Sequence, residues 1–358
     1  MKLSPFGQPL PANEKRLILG EPSQQLFPLR YPWIWDMYRN AKKNHWEPEE
    51  YSLSQDVYDY KHALTDEERW MFDWALSMLT TQDLVVMGNL EEAIERHLTC
   101  PEASMYLARQ TAEEGIHTES YQVIVESLAL DEDKVYQRYL QERSLYAKIE
   151  YAYSFHRRLL ELRMDDHQSF DAIGNFIECV AFWALVMEGA WFYYGFNFVY
   201  ALKDRGLMPG TSEIFQHIQR DEGMHRRFWL NIINTLVSEY PEAYTAQVQE
   251  NIRKTVVHAA DLEAFYAHDV CHNVMGISAD SYMDHYRAGS NQLLESIGIE
   301  RVFGPHSCRP LPWVAKYEIL QERNFFESKV AEYQKQSALG DWGDNSGMPD
   351  SVMPLSGK

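Results

Sequence analysis

The sequence predicts an all-α protein, a bundle of long antiparallel helices. Strand-like alternation is nearly absent, helix-start signals recur, and short turns separate long helical stretches. Residues 1–30 are punctuated by proline and read as an irregular segment. Helical patterns dominate beyond them. Thr65-Asp66-Glu67-Glu68 is a start signal, with Thr65 placed to cap and Glu68 to complete a capping box. That helix extends to about His97. Thr99-Cys100-Pro101-Glu102 makes a turn, and Pro101 suits the first turn of the next helix, which runs to about Leu128. Asp131 opens a helix to about Leu162, and an apolar helix covers roughly 168–203. Gly206 and Pro209-Gly210 break the chain. Thr211-Ser212-Glu213 then opens a helix to about Glu239, and Pro241 one to about Cys271. Further helix is expected over 279–297 and 313–335. The end, rich in Gly, Ser, Pro and Asp, reads as a mobile tail. The expected organisation is an irregular segment over 1–30, one helical domain over 31–335 and a flexible tail over 336–358.

Composition excludes several functions. The chain has 358 residues, 33 Lys+Arg against 53 Asp+Glu, and a net charge of −20. Such a surface repels phosphates, so neither nucleic acid nor an anionic membrane is an expected partner. Cys100, Cys179, Cys271 and Cys308 are scattered without a CxxC, which fits single thiols in a reducing cytoplasm. The N-terminus lacks the apolar run of a signal peptide. Phe176–Tyr200 is long enough to cross a bilayer and carries only Glu178 and Glu188 as charges. A lone carboxylate at mid-span would be costly in lipid. A helix buried on all sides of a bundle is the better reading, and its Glu188 then needs a cationic partner.

Chemistry points to two Glu-x-x-His pairs, Glu114-Gly-Ile-His117 and Glu222-Gly-Met-His225. Positions i and i+3 share a helix face, so each pair offers an oxygen and a nitrogen to one ion. With 13 His in the chain, about one such pair is expected by chance. The surroundings add weight. Asp83 lies 31 positions before Glu114, and Glu188 lies 34 before Glu222, with a turn between in each case. At ~1.5 Å per residue, an up-and-back path returns each pair to one level. Asp83, Glu114, His117, Glu188, Glu222 and His225 then form the ligand count of a dinuclear carboxylate site on four helices. Mixed oxygen and nitrogen donors suit iron or manganese rather than thiolate-bound zinc. The bland alternative, six unrelated polar residues, fits Glu188 poorly. Tyr121 follows His117 by four and shares its face, whether as core packing or as an oxidisable phenol beside the metals. Phe192, Phe196 and Ile218 are expected to line the site with apolar surface.

With these motifs in place, the chain resembles the small, radical-generating subunit of class I ribonucleotide reductase. The resemblance runs from about Pro28 to Tyr333. It rests on Trp46-Glu-Pro-Glu-Glu, Thr81-Gln-Asp83, Glu114-Gly-Ile-His117 with Tyr121, Met187-Glu188-Gly and Arg220-Asp221-Glu222-Gly-Met-His225. It implies a ferritin-like helix bundle with additional helices and a centre of two iron or two manganese ions, a mixed manganese–iron pair being a further option. That centre would activate an oxygen species and yield the oxidant, a tyrosyl radical or a high-valent metal, that starts ribonucleotide reduction in a large subunit. By resemblance the six residues above bind the metals, Tyr121 falls on the radical-bearing tyrosine, Trp46 and Asp221 fall on an electron-transfer path through His117, and Tyr333 falls on the tail tyrosine facing the large subunit. Homodimerisation, a flavoprotein activase and a cytoplasmic location follow from the same likeness.

Two departures stand out. PLRYPWIWDMYRNAKKNHWEPEE and NFFESKVAEYQ look most like the manganese–iron branch, which has Glu where this chain has Asp83 and Phe where it has Tyr121. The tail also continues past Tyr333 to Lys358. A ligand-binding oxidase on the same scaffold, or a ferritin-like metal-binding protein, are the competing readings. Neither gives Trp46, Asp221 and Tyr333 a joint purpose.

Overall fold

The computed structural model describes residues 18–20, 25–163, 169–314 and 316–317. By contacts the chain clusters into Met1–Val314 and Ala315–Lys358, and every element below belongs to the first unit. The described residues contain helices and turns but no strand. Helix α1 is Pro32–Lys43, and α2 is Ser54–Tyr58 followed by a π-helical turn, Asp59–Ala63. Helix α3, Asp66–Asn89, ends through a π turn, Leu90–Ile94, and a 3-10 turn, Glu95–His97. Helix α4 is Pro101–Leu128, α5 Glu132–Gln141 and α6 Arg143–Glu161. Helix α7 spans Phe170–Lys203 with a π-helical middle, Phe182–Phe192. Helices α8, Pro209–Glu239, α9, Ala246–Val270, and α10, Ala279–Ser296, complete the bundle.

Local chemistry explains most boundaries. Thr65 caps α3 by accepting from Glu68 N at 3.2 Å, while Glu68 Oε2 accepts from Thr65 N at 2.9 Å, so the expected capping box forms. Pro101 sits in the first turn of α4, where its missing N–H costs nothing. Three expected boundaries move. The stretch 131–162 is two helices, because Glu142 is extended (φ −105°, ψ 122°) and redirects the chain. The helix expected to open at Pro241 begins after Thr245, which accepts from Val248 N, while Pro241–Ala243 is a separate 3-10 turn. Helix α8 opens at Pro209, two residues before Thr211. Its first N–H groups are held by a distant residue: Asp56 of α2 accepts from Gly210 N at 2.9 Å and Thr211 N at 2.6 Å. A buried carboxylate at the positive end of α8 is favourable, and no local motif announces it. All but the first few residues of the expected helix over 313–335, the whole tail over 336–358 and most of 1–30 lie outside the described residues.

Helix α7 is the centre of the bundle. It is long and apolar enough to span a membrane, yet every residue from Val180 to Leu202 is buried against other helices. Its π-helical middle packs on α8, α9 and α10. Helix α4 packs against α1 and α3. Helices α3, α4, α7 and α8 thereby surround one interior point.

Candidate dinuclear metal centre

The six predicted ligands come from those four helices and meet. Asp83, Glu114, His117 and Glu222 form one buried group of donor atoms, and Glu114, Glu188, Glu222 and His225 a second. Within each group the donor atoms all lie within 4.8 Å of one another. Glu114 and Glu222 belong to both, the arrangement expected of two carboxylates shared by two ions. Both imidazoles turn Nδ1 inward. His117 Nδ1 is 3.1 Å from Glu222 Oε1 and 3.4 Å from Glu114 Oε2. His225 Nδ1 is 3.2 Å from Glu114 Oε1, 3.5 Å from Glu222 Oε2 and 3.7 Å from Glu188 Oε2.

The outward nitrogens face a second pair of acids. His225 Nε2 is 3.0 Å from Glu113 Oε2, and His117 Nε2 is 3.6 Å from Asp221 Oδ2. Each acid is held by an arginine: Glu113 by Arg109 at 3.0 Å, and Asp221 by Arg220 at 3.2 Å. Both arginines also donate to carbonyls at the C-terminal end of α1, Arg109 to Ala41 O and Arg220 to Asn44 O. That end of a helix attracts cations. Metal-binding histidines generally carry such an outward carboxylate, which fixes ring orientation and raises basicity. Glu113, Arg109 and the role of α1 were not anticipated from sequence. A signal existed: Glu113-Glu114-Gly-Ile-His117 and Asp221-Glu222-Gly-Met-His225 share the order acid, Glu, Gly, apolar, His. Gln110, also unanticipated, donates to Glu188 Oε1 at 2.9 Å and to Glu114 Oε1 at 3.4 Å. It lies one turn before Glu114 on the same face of α4.

The residues fit a pair of divalent cations. Both oxygens of Asp83 and of Glu222, one each of Glu114 and Glu188, and Nδ1 of both histidines are buried without a hydrogen bond. Buried polar atoms are rarely left so, and an absent ion is one of the standard reasons. Four carboxylates carry four negative charges, which two divalent ions would balance. The electrostatics agree. Burial, then the neighbouring Glu114 and Glu222, pushes the Asp83 carboxyl well above its ordinary range. Burial and Glu222 do the same to Glu188. Burial alone would lower both imidazoles, but the surrounding carboxylates raise them well above their usual value. Protons take up the charge that metals would otherwise balance.

Tyr121 lies fully buried on α4, its ring edge-on to Phe215 at 5.9 Å. Its hydroxyl lies beside the Asp83 carboxylate, and burial with that charge raises its pKa well above the ordinary value. Phe196 packs on Phe215 at 5.6 Å, and Phe192 and Ile218 are also fully buried. Trp46 Nε1 donates to Asp221 Oδ2 at 2.8 Å, which joins Trp46 to His117 through one carboxylate. Burial works against charge on Asp221, but the contacts with His117, Arg220 and Trp46 outweigh it and hold its pKa below the ordinary value. Tyr333 lies outside the described residues.

Comparison with known proteins agrees with this geometry. The family profile described as "Ribonucleotide reductase, small chain" matches residues 23–310. The chain belongs to the ribonucleotide reductase small-chain family. The beta subunit of ribonucleoside-diphosphate reductase from Chlamydia pneumoniae is 34% identical over 318 residues, 88% of this chain and 91% of that protein. The corresponding subunit from Treponema pallidum is 29% identical over 320 residues, 87% of this chain and 88% of that one. Among solved structures, the ribonucleotide reductase R2 subunit from Clostridium botulinum aligns with a TM-score of 0.74 and 28% identity, covering 84% of this chain and 93% of its own. The ferritin-like helical fold is thus that of the small chain, and the protein is the small subunit of an oxidoreductase. The small-chain family implies a dinuclear metal site and association with a large subunit.

Proposed function

We propose that this small chain holds two metal ions on Asp83, Glu114, His117, Glu188, Glu222 and His225, and that an oxidising equivalent made there starts ribonucleotide reduction in the large subunit. The observation that carries the reading is the pair of donor groups sharing Glu114 and Glu222, buried and with unpartnered atoms facing inward. Two iron or two manganese ions suit the mixed oxygen and nitrogen donors, and a mixed pair uses the same ligands. Bound there, the metals supply one-electron oxidising chemistry.

The protein's own residues supply the rest. Glu113 and Asp221 hold the imidazoles with Nδ1 inward. Gln110 orients Glu188. Phe215 and Phe196 keep water from Tyr121, the candidate radical-bearing residue. Asp221 keeps Trp46 and His117 in register, and Tyr333 receives the oxidising equivalent for delivery to the large subunit. A homodimer in the cytoplasm, activated by oxygen or with a flavoprotein activase, completes the reading.

The test is reconstitution. Purified chain is loaded with iron, manganese or both, metals are counted, and electron paramagnetic resonance is recorded. A ribonucleotide reductase large subunit is then added and nucleotide reduction measured. The expected result is two metals per chain and turnover only with both subunits. Loaded protein without turnover in a competent pair would remove the reductase reading, and failure to hold two metals would remove the site.

A further inference from the structure

A second buried cluster of charge lies outside the metal centre. Lys148 of α6 and Glu263 of α9 are both fully buried, and Lys148 Nζ lies 2.6 Å from Glu263 Oε2. Tyr282 of α10 donates to the other oxygen, Glu263 Oε1, at 2.5 Å. The ammonium also reaches Met78 Sδ of α3 at 2.9 Å. It stands over two rings, 4.6 Å from the centroid of Trp191 in the π-helical middle of α7 and 4.4 Å from that of Tyr266 of α9. The Tyr266 hydroxyl donates in turn to Trp74 O of α3 at 3.2 Å. None of these residues belongs to either group of metal donors.

A buried ion pair is a weak source of stability, because both charges lose their water and apolar side chains of like size often do as well. Burial lowers the Lys148 pKa, against the opposing pull of Glu263. What such a pair adds over apolar packing is direction. A satisfied network of hydrogen bonds, with a cation seated over a ring, fixes rotation as well as distance. This one ties α6, α9 and α10 to α3 and α7, the helices that carry Asp83 and Glu188. Trp191 stands three residues after Glu188 in the π-helical segment. A π helix bonds residue i to residue i+5, so three residues fall well short of a full turn and the two side chains leave α7 on different sides. Glu188 meets the metal donors on one side, and Trp191 meets Lys148 on another.

We propose that Lys148 and Glu263 form a clamp that fixes the π-helical segment of α7 through Trp191 and thereby positions Glu188 for the metal it serves. The clamp deepens the functional reading above and rests on it, because that reading supplies the metals. Glu188 is the carboxylate that needs such a hold. Glu114 and Glu222 belong to both donor groups, so two ions would fix each of them. Glu188 belongs to one group, and its placement falls to Gln110 and to the backbone that carries it. Lys148 and Glu263 touch no reacting atom; they are positioning residues that act through Trp191.

The experiment uses the full chain with Lys148→Met, Glu263→Gln and the two changes combined. Each single change strands one buried partner and should lower Tm. The combined variant removes both charges with little change of volume and should return Tm towards the parental value. Manganese(II) is titrated into metal-free protein, and amide hydrogen exchange of the metal-free chain is mapped by mass spectrometry. The clamp predicts that in the combined variant the dissociation constant of the more weakly held manganese rises roughly tenfold. Faster exchange should be concentrated in residues 182–192. A pair that serves stability alone predicts instead that metal affinity recovers together with Tm. Parental manganese affinity in the combined variant, or exchange that rises evenly over the bundle, would overturn the clamp and leave the metal site standing. Failure of the parent itself to bind two manganese ions would remove the functional reading and the clamp with it.

Discussion

At the scale of single residues, a substitution at Tyr121 tests which chemistry the site performs. Phe in its place keeps the volume and removes a buried hydroxyl beside the Asp83 carboxylate. The fold should therefore survive, with stability changed by ~1 kcal/mol at most. With Tyr121 as the stored oxidant, Tyr121→Phe should lose both the tyrosyl signal and nucleotide reduction while binding two metals. Turnover that survives places the oxidant on the metals. A second residue sets an acid limit. His285 is buried, accepts from Leu311 N at 3.3 Å through Nδ1, and packs edge-on to Tyr194. Burial lowers its pKa from 6.5 to about 4. Below the unfolded value, the unfolded chain binds a proton that the folded chain refuses, so stability falls as pH drops from about 6.5 towards 4. The loss should be on the order of 3 kcal/mol at most. Urea unfolding across that range should show it, and His285→Gln should flatten that part of the profile.

At the scale of elements, the π-helical middle of α7 positions Glu188. Widened helical turns change where a side chain points, and such turns gather at functional sites. Gly189 permits this one. A Cβ there would lie 2.5 Å from Ala184 O and 2.8 Å from a Leu293 methyl of α10. The carbonyl belongs to the helix backbone and cannot swing aside. Gly189→Ala should therefore cost roughly 1–3 kcal/mol and displace Glu188. A lower Tm together with reduced occupancy of one metal is the expected result, while parental values for both would show that the turn does not depend on this glycine. Helix α1 is the other element with a hidden role. Its C-terminal carbonyls hold Arg109 and Arg220, and through them the two acids that orient both histidines. The capping of α8 by Asp56 has no local signature, because it answers to a neighbour far along the chain.

At the scale of the whole molecule, the metals should act as a structural load-sharer as well as a cofactor. Four buried carboxylates repel one another without cations. Free metal at ~100 times its dissociation constant should add ~2.7 kcal/mol to stability. A thermal scan should show Tm higher by a few degrees with metal than with chelator. Equal values would argue against binding in the bundle centre. The Tyr333 prediction also belongs to this scale, because it concerns two proteins. Tyr333→Phe should leave metal content and large-subunit affinity intact and abolish turnover, since Phe is much harder to oxidise. Parental turnover in that variant would remove Tyr333 from the path and leave the metal site untouched.

Sequence alone determined the all-α class, the level at which Asp83, Glu114, Glu188 and Glu222 meet, and the two Glu-x-x-His pairs. These are periodic properties: helical rise and the shared face of i and i+3 are set by the backbone and need no partner. The capping box at Thr65 was legible for the same reason, because both of its hydrogen bonds close within one turn. Tertiary structure decided the rest. Which carboxylates are shared, that Glu113 completes the His225 side, that Gln110 reaches Glu188, and that Lys148 meets Glu263 beside Trp191 all depend on side chains from different helices. Helix rotation and packing set those contacts to within an ångström, and burial then sets their charge states. No spacing along one strand of sequence encodes a distance between two.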